Sequence, residues 1–177
     1  MRFEECPVPG VWVVGLTPFD DERGRFARAF SEEEFAAQGL ETHVSQVNIS
    51  RNRAAGTIRG MHLQRAPHEE VKMVRCIQGA VFDVAVDARP DSPNYLAWHA
   101  RELSADNGLL MYVPKGFAHG FQTLTDGATI MYLTSAPYEP AAESGLRWND
   151  PAIGIDWPLP LAAISDKDAA IPLVTRP

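Results

Sequence analysis

Between Gly56 and Gly79 the chain runs GTIRGMHLQRAPHEEVKMVRCIQG. His62 stands between an arginine and a glutamine, and Lys72 lies on an otherwise apolar strand pattern. Alternation puts Lys72 on one face with Val74 and Cys76, which should be the packed face of a sheet. An imidazole and an ammonium in such places are costly unless they are partnered or put to use. Arg51, Arg53, Arg59, Arg65, Lys72 and Arg75 fall close together, opposed locally by Glu69 and Glu70. Together they could hold a small anionic ligand or form a solvated charged surface.

The scaffold for these groups is predicted to be β. Strand patterns occur at 11–16, 26–30, 42–50, 58–64, 71–77, 80–87, 97–102, 109–113 and 128–135. A tight turn from Pro114 runs into a further strand past His119. Glycine and proline turns separate the strands. Ser31 with Glu34 forms a capping box that opens the one convincing helix, which ends at Gly39. In 42–50, Val44, Gln46 and Asn48 share a face, either a solvent face or the polar floor of a pocket. Strict alternation pairs His62 with Gln64 and turns Arg59 away, unless Gly60 permits a bulge or Arg59 lies at the strand end. The tail from Pro158 reads as irregular, with Ser165-Asp-Lys-Asp168 as its polar point. The expectation is one all-β domain over 1–177, an antiparallel sandwich or barrel with few short helices.

The totals agree with an ordinary globular chain of 177 residues, 45% hydrophobic and 22% charged. A formal charge of −7 argues against nucleic acid as a partner. Cys6 and Cys76 form neither a disulfide framework nor a metal-ligand pattern. With no apolar signal core and no run of transmembrane length, a cytoplasmic protein with no membrane partner is expected.

The spacing Gly60-x-His62-x-Gln64, then Gly79, then Pro114-x-Gly116-x-x-His119 resembles the paired motifs of the cupin superfamily. Metal-binding cupins carry a second histidine where this chain has Gln64, and an amide oxygen is a poor substitute for imidazole. A metal-dependent oxygenase or isomerase using His62, His119 and Glu69 or Glu70 is therefore an alternative reading. A sugar 3,4-ketoisomerase and a non-catalytic sugar-nucleotide binder on the same fold are others. The resemblance sharpens with Arg59-Gly-Met-His62-Leu-Gln64, Lys72-Met-Val-Arg75, Asp83-Val-Ala-Val-Asp87, Gly116-Phe-Ala-His119-Gly-Phe121, Trp148-Asn-Asp-Pro151 and Ser165-x-Lys167-Asp168. Together they resemble the dTDP-4-dehydrorhamnose 3,5-epimerase family along nearly the whole chain.

That resemblance implies a cupin-type jelly roll, a homodimer, and epimerisation at C3, C5 or both of a nucleotide-linked 4-keto-6-deoxy sugar without metal or cofactor. Breaking a carbon–hydrogen bond beside a ketone calls for a base, a cation or donor at the carbonyl oxygen, and an acid on the opposite face. By the family pattern His62 is the base, Asp168 its orienting carboxylate, Lys72 the group at the enolate oxygen and Tyr132 the acid. Asp166 is the competing partner for His62. The same comparison implies substrate-binding roles for Gln46, Asn48, Arg59, His119, Tyr138, Glu143 and Lys167. It also implies that Arg23 and Phe26 reach the site from a neighbouring subunit. Two positions depart from the family pattern. Leu63 stands where an aromatic is usual, and Glu70 where glutamine is usual. Glu70 adds negative charge near an anionic ligand, unless it pairs with Arg65 or Arg75, and so bears on which sugar is bound.

Overall fold

Alternation of apolar side chains decides which way each strand faces, and two antiparallel sheets result. The computed structural model describes residues 1–175; the last two positions of the expected 1–177 unit lie outside the described residues. In chain order the elements are β1 (Arg2–Glu5), β2 (Trp12–Gly15), β3 (Phe19–Asp21), β4 (Gly24–Phe26), α1 (Glu32–Ala36), β5 (Gln46–Arg51), β6 (Ile58–Gln64) and β7 (Lys72–Gln78). They continue with β8 (Ala80–Asp87), β9 (Trp98–Ser104), β10 (Leu110–Val113), β11 (Phe117–Thr123), β12 (Thr129–Thr134), β13 (Glu143–Gly145) and α2 (Asp166–Ala169). A six-stranded sheet runs β1-β2-β10-β7-β12-β5 and a five-stranded sheet runs β13-β6-β11-β8-β9. A separate two-stranded hairpin joins β3 to β4. This is the jelly-roll architecture expected of the sequence.

Successive residues of one strand serve different cores. Val13, Val74, Met111 and Val113 point between the sheets, where they meet Val81, Ala85, Phe117 and Phe121 of the other sheet. Their neighbours Val14, Met73, Leu110 and Tyr112 point outward, against Phe35 of α1. Both faces of the central strands are thus buried, which is why 110–113 reads as an unbroken apolar run. Helix α1 has five residues, too few to persist alone. Ser31 Oγ accepts from Glu34 N at 3.4 Å, and Phe35 packs edge-on against Phe3 at 5.2 Å. The outer face of the five-stranded sheet is covered by the C-terminal segment, with Ile153 and Trp157 against Met61, Val84 and Val86.

Several boundaries differ from the sequence reading. The strand expected over 26–30 ends at Phe26, because Phe30 turns in to stack on Phe35 at 4.9 Å. The strand expected over 42–50 begins at Gln46. The Glu41 carboxylate accepts from the N–H groups of Thr42 and His43, both at 3.0 Å, so these close a local turn instead of a ladder. The tail expected to be irregular contains α2, whose N-cap is Ser165. Strands β1 and β13 carry no alternation signal in the sequence. No helix among the described residues is long and apolar enough to cross a membrane.

Candidate active site

Between the sheets the apolar packing gives way to polar side chains around a cavity of about 780 Å³, a size that suits a small molecule. His62, Arg59 and His119 line it from the five-stranded sheet, Lys72 and Tyr132 from the six-stranded sheet, and Lys167 and Asp168 from the tail.

His62 and Arg59 reach the same cavity only because β6 is bulged. In the pairing of β11 with β6, His119 lies opposite His62 and Phe121 opposite Arg59, with a register shift between them. Gly60 and Met61 therefore share the space facing Gly120. Gly60 has φ +131°, and a Cβ there would lie 2.5 Å from Gly120 Cα. A Cβ on Gly120 would meet Met61 Sδ at 2.5 Å. Two facing glycines are what this bulge requires.

Asp168 is distant in sequence and is delivered by a strapped tail. Gln122 is fully buried and clamps Leu159 through both ends of its amide, at 2.8 and 2.9 Å. Thr57 and Ala163 then form a parallel bridge beside the start of β6. Asp168 Oδ1 lies 2.7 Å from His62 Nε2, and its Oδ2 accepts from Gly60 N at 3.2 Å. Burial pushes the Asp168 carboxyl up, but the His62 hydrogen bond and charge and the Gly60 N–H hold it below its ordinary value. An ionised carboxylate only accepts, so Nε2 carries the proton and Nδ1 keeps the lone pair. Asp168, and not Asp166, is thus the group on His62.

Lys72 begins β7 with its side chain only 12% exposed, and its Nζ donates to His62 O at 3.2 Å. Glu70 Oε1 lies 3.3 Å from the same nitrogen. The negative charge of Glu70 is thus paired with Lys72, and not with Arg65 or Arg75. Arg75 points to the opposite face of its sheet, where its guanidinium is buried and donates to the carbonyls of Gly108 and Ala29. The sequence cluster of cations splits accordingly. Arg51, Arg59 and Lys72 line the cavity and Arg75 ties loops together. Tyr132 lies opposite Asn48 on one side and Val74 on the other. Burial raises its phenol, Glu70 raises it further and Arg59 opposes them.

The remaining candidates divide by place. Arg59 Nε donates to Asn52 Oδ1 at 2.8 Å. His119 is buried with Nε2 2.8 Å from Asp83 Oδ1. Gln46 and Asn48 turn to the half-buried face of β5, so they do not form a solvent face. Gln46 Oε1 accepts from Tyr138 N at 3.0 Å. Glu143 joins Tyr138 Oη at 2.7 Å and Lys167 Nζ at 2.5 Å in one exposed cluster. Arg23 and Phe26 are not brought to the cavity within this chain; they sit on the exposed β3–β4 hairpin. Gln64, at the cupin ligand position, donates to the carbonyls of His68 and Pro137 and accepts from Glu139 N at 2.6 Å. Its amide is a buried backbone clamp. Sequence reasoning missed the Asp83 partner of His119. An aspartate amid the valines of Asp83-Val-Ala-Val-Asp87 was the available signal, since an acid there must be buried and paired.

The family model for dTDP-4-dehydrorhamnose 3,5-epimerase matches residues 5–176. A relative of that name from Sinorhizobium fredii is 42% identical over 173 residues, covering 97% of this chain and 89% of its own. The crystal structure of the Bacillus anthracis enzyme with TDP and PPi bound superposes with a TM-score of 0.94 at 38% identity, covering 98% of this chain and 99% of that one. The Legionella pneumophila enzyme in complex with dTDP-4-keto-L-rhamnose superposes at 0.92 with 34% identity, covering 97% and 92%. With fold, extent of match and sequence identity all in agreement, the chain belongs to the dTDP-4-dehydrorhamnose 3,5-epimerase family.

Proposed function

We propose that this protein is an isomerase that inverts C3 and C5 of a dTDP-linked 4-keto-6-deoxyhexose in deoxysugar biosynthesis. The observation that carries the reading is the pairing of His62 with Asp168 at 2.7 Å across one cavity from Lys72 and Tyr132. His62 Nδ1 removes the proton beside the ketone, and the electron pair moves onto the carbonyl oxygen. The Lys72 ammonium stabilises that oxygen, a contribution of about 3–4 kcal/mol for one such donor. Tyr132 Oη delivers a proton to the opposite face of the same carbon, and the carbonyl re-forms. Asp168 steadies the imidazolium in between. Each inversion is redox-neutral; it leaves an imidazolium at His62 and a phenolate at Tyr132, and proton exchange with water restores both before the next inversion.

Arg59, His119 and Lys167 bind the diphosphate, and the planar fork of Arg59 suits phosphate oxygens. Gln46, Asn48, Tyr138 and Glu143 contact the nucleotide and sugar. The active unit is a homodimer in which Arg23 and Phe26 of one copy complete the site of the other. Phe19 and Phe26 pair across the hairpin and are 68% and 72% exposed, an apolar pair that supports burial against a second copy.

Incubation with a dTDP-linked 4-keto-6-deoxyhexose in D2O, followed by NMR, tests the assignment. Deuterium should enter at both C3 and C5 with inversion. The absence of exchange at either carbon across a panel of 4-keto sugars would overturn it.

A further inference from the structure

Lys72 has three N–H donors on a long, flexible stem that loses about 2 kcal/mol of rotamer freedom when fixed. Two of these donors have partners in the fold: the His62 carbonyl at 3.2 Å and Glu70 Oε1 at 3.3 Å. Both charged side chains are largely buried, Lys72 12% and Glu70 10% exposed, so their attraction is little screened by water. Glu70 is not among the residues that line the cavity, whereas Lys72 is. We infer that Glu70 is a positioning residue: with the His62 carbonyl it holds the Lys72 ammonium so that the third N–H is directed at the forming enolate oxygen. This rests on the epimerase reading above and adds to it a residue that sets the geometry of the oxyanion contact.

The same carboxylate has a second effect. After burial it is the main group raising the Tyr132 phenol, with Arg59 opposing. The other titratable or charged groups lining the cavity are Lys72 itself, His62 with Asp168, His119, Lys167 and Arg51. Glu70 thus favours the protonated phenol that the reaction uses as its acid.

Three variants separate these effects. Glu70→Gln keeps the shape and removes the charge. Its kcat should fall about 10-fold, within what a small misplacement of a catalytic group costs, with KM changed less than about 2-fold. The alkaline limb of its kcat profile should move to lower pH. Glu70→Asp keeps the charge but draws it back, so kcat should fall while the alkaline limb stays near wild type. In a Lys72→Met background, Glu70→Gln should change kcat less than about 2-fold, because residues acting as one unit are not additive. Two readouts need no turnover. NMR of nitrogen-labelled lysine should show the Lys72 ammonium gaining mobility in Glu70→Gln. Ultraviolet titration, with Tyr132→Phe subtracted, should show the Tyr132 phenol ionising at lower pH. A Glu70→Gln protein with wild-type kcat, Lys72 mobility and Tyr132 titration would overturn the inference. So would an equal kcat loss with and without Lys72. If the wild-type protein exchanges no deuterium, the epimerase reading fails, and the two spectroscopic readouts still decide whether Glu70 holds Lys72.

Discussion

At the residue scale, chemistry rests on how each polar group is partnered. His62 suits its proposed role as base because Asp168 holds its Nε2 proton, leaving Nδ1 as the lone-pair nitrogen. Asp168→Asn should therefore lower kcat on the order of 10²-fold or more, the usual contribution of a positioned base, while substrate affinity by calorimetry changes little. Tyr132 stands on the other sheet from His62, so removing its hydroxyl should separate two steps. Tyr132→Phe is expected to keep deuterium wash-in from the His62 face while net inversion falls by about 10²-fold, read by NMR of the product. Loss of wash-in and inversion together would instead make Tyr132 part of the proton-abstraction step.

At the scale of elements, the bulge in β6 is the device that joins Arg59, the proposed phosphate-binding residue, to His62, the proposed base. Gly60→Ala would push a Cβ to within 2.5 Å of Gly120 Cα and 2.9 Å of His119 O, at a φ of +131°. Neither backbone can yield without breaking the β6–β11 pairing. We expect a loss of roughly 2–4 kcal/mol in urea unfolding, together with near-complete loss of activity. The tail is the second device. Its Gln122 clamp and Thr57–Ala163 bridge carry α2 to the mouth of the cavity. One half of the proposed catalytic dyad thus depends on backbone contacts with β6 and β11.

At the scale of the whole molecule, charge and surface make further predictions. Asp168 and Asp87 both titrate below their ordinary values. In Asp87 burial pushes upward, but Arg89 and Ser92, at 2.7 and 2.6 Å from Oδ2, pull it down. A carboxyl with a depressed folded value adds stability above its unfolded value of about 3.9 and loses it as pH falls through the folded value. The urea midpoint should therefore hold near about pH 6 and drop by about pH 3, with Asp87→Asn flattening the drop. On the surface, Phe26→Asp should turn a dimer into a monomer in sedimentation and weaken nucleotide binding about 10-fold or more. A dimer unaffected by that change would remove the hairpin from the proposed interface.

Much of this was legible in the sequence, because the periodicity of buried strands is local. The pattern of 71–77 alone placed Lys72 on the inner face beside Val74 and Cys76, and the Ser31 box alone marked the helix. Ordered motifs likewise tied the chain to its family. Other features were decided only when the chain folded, since they depend on which distant atoms meet. Arg59 joins His62 through a bulge that two glycines 60 residues apart create together. Asp168 prevails over Asp166 because a strapped one-turn helix aims it. Glu70 pairs with Lys72 because nearby Arg75 faces the other side of the sheet. Spacing states which side chains share a strand face; only packing states what stands opposite them, and partners set the protonation and reach on which this chemistry depends.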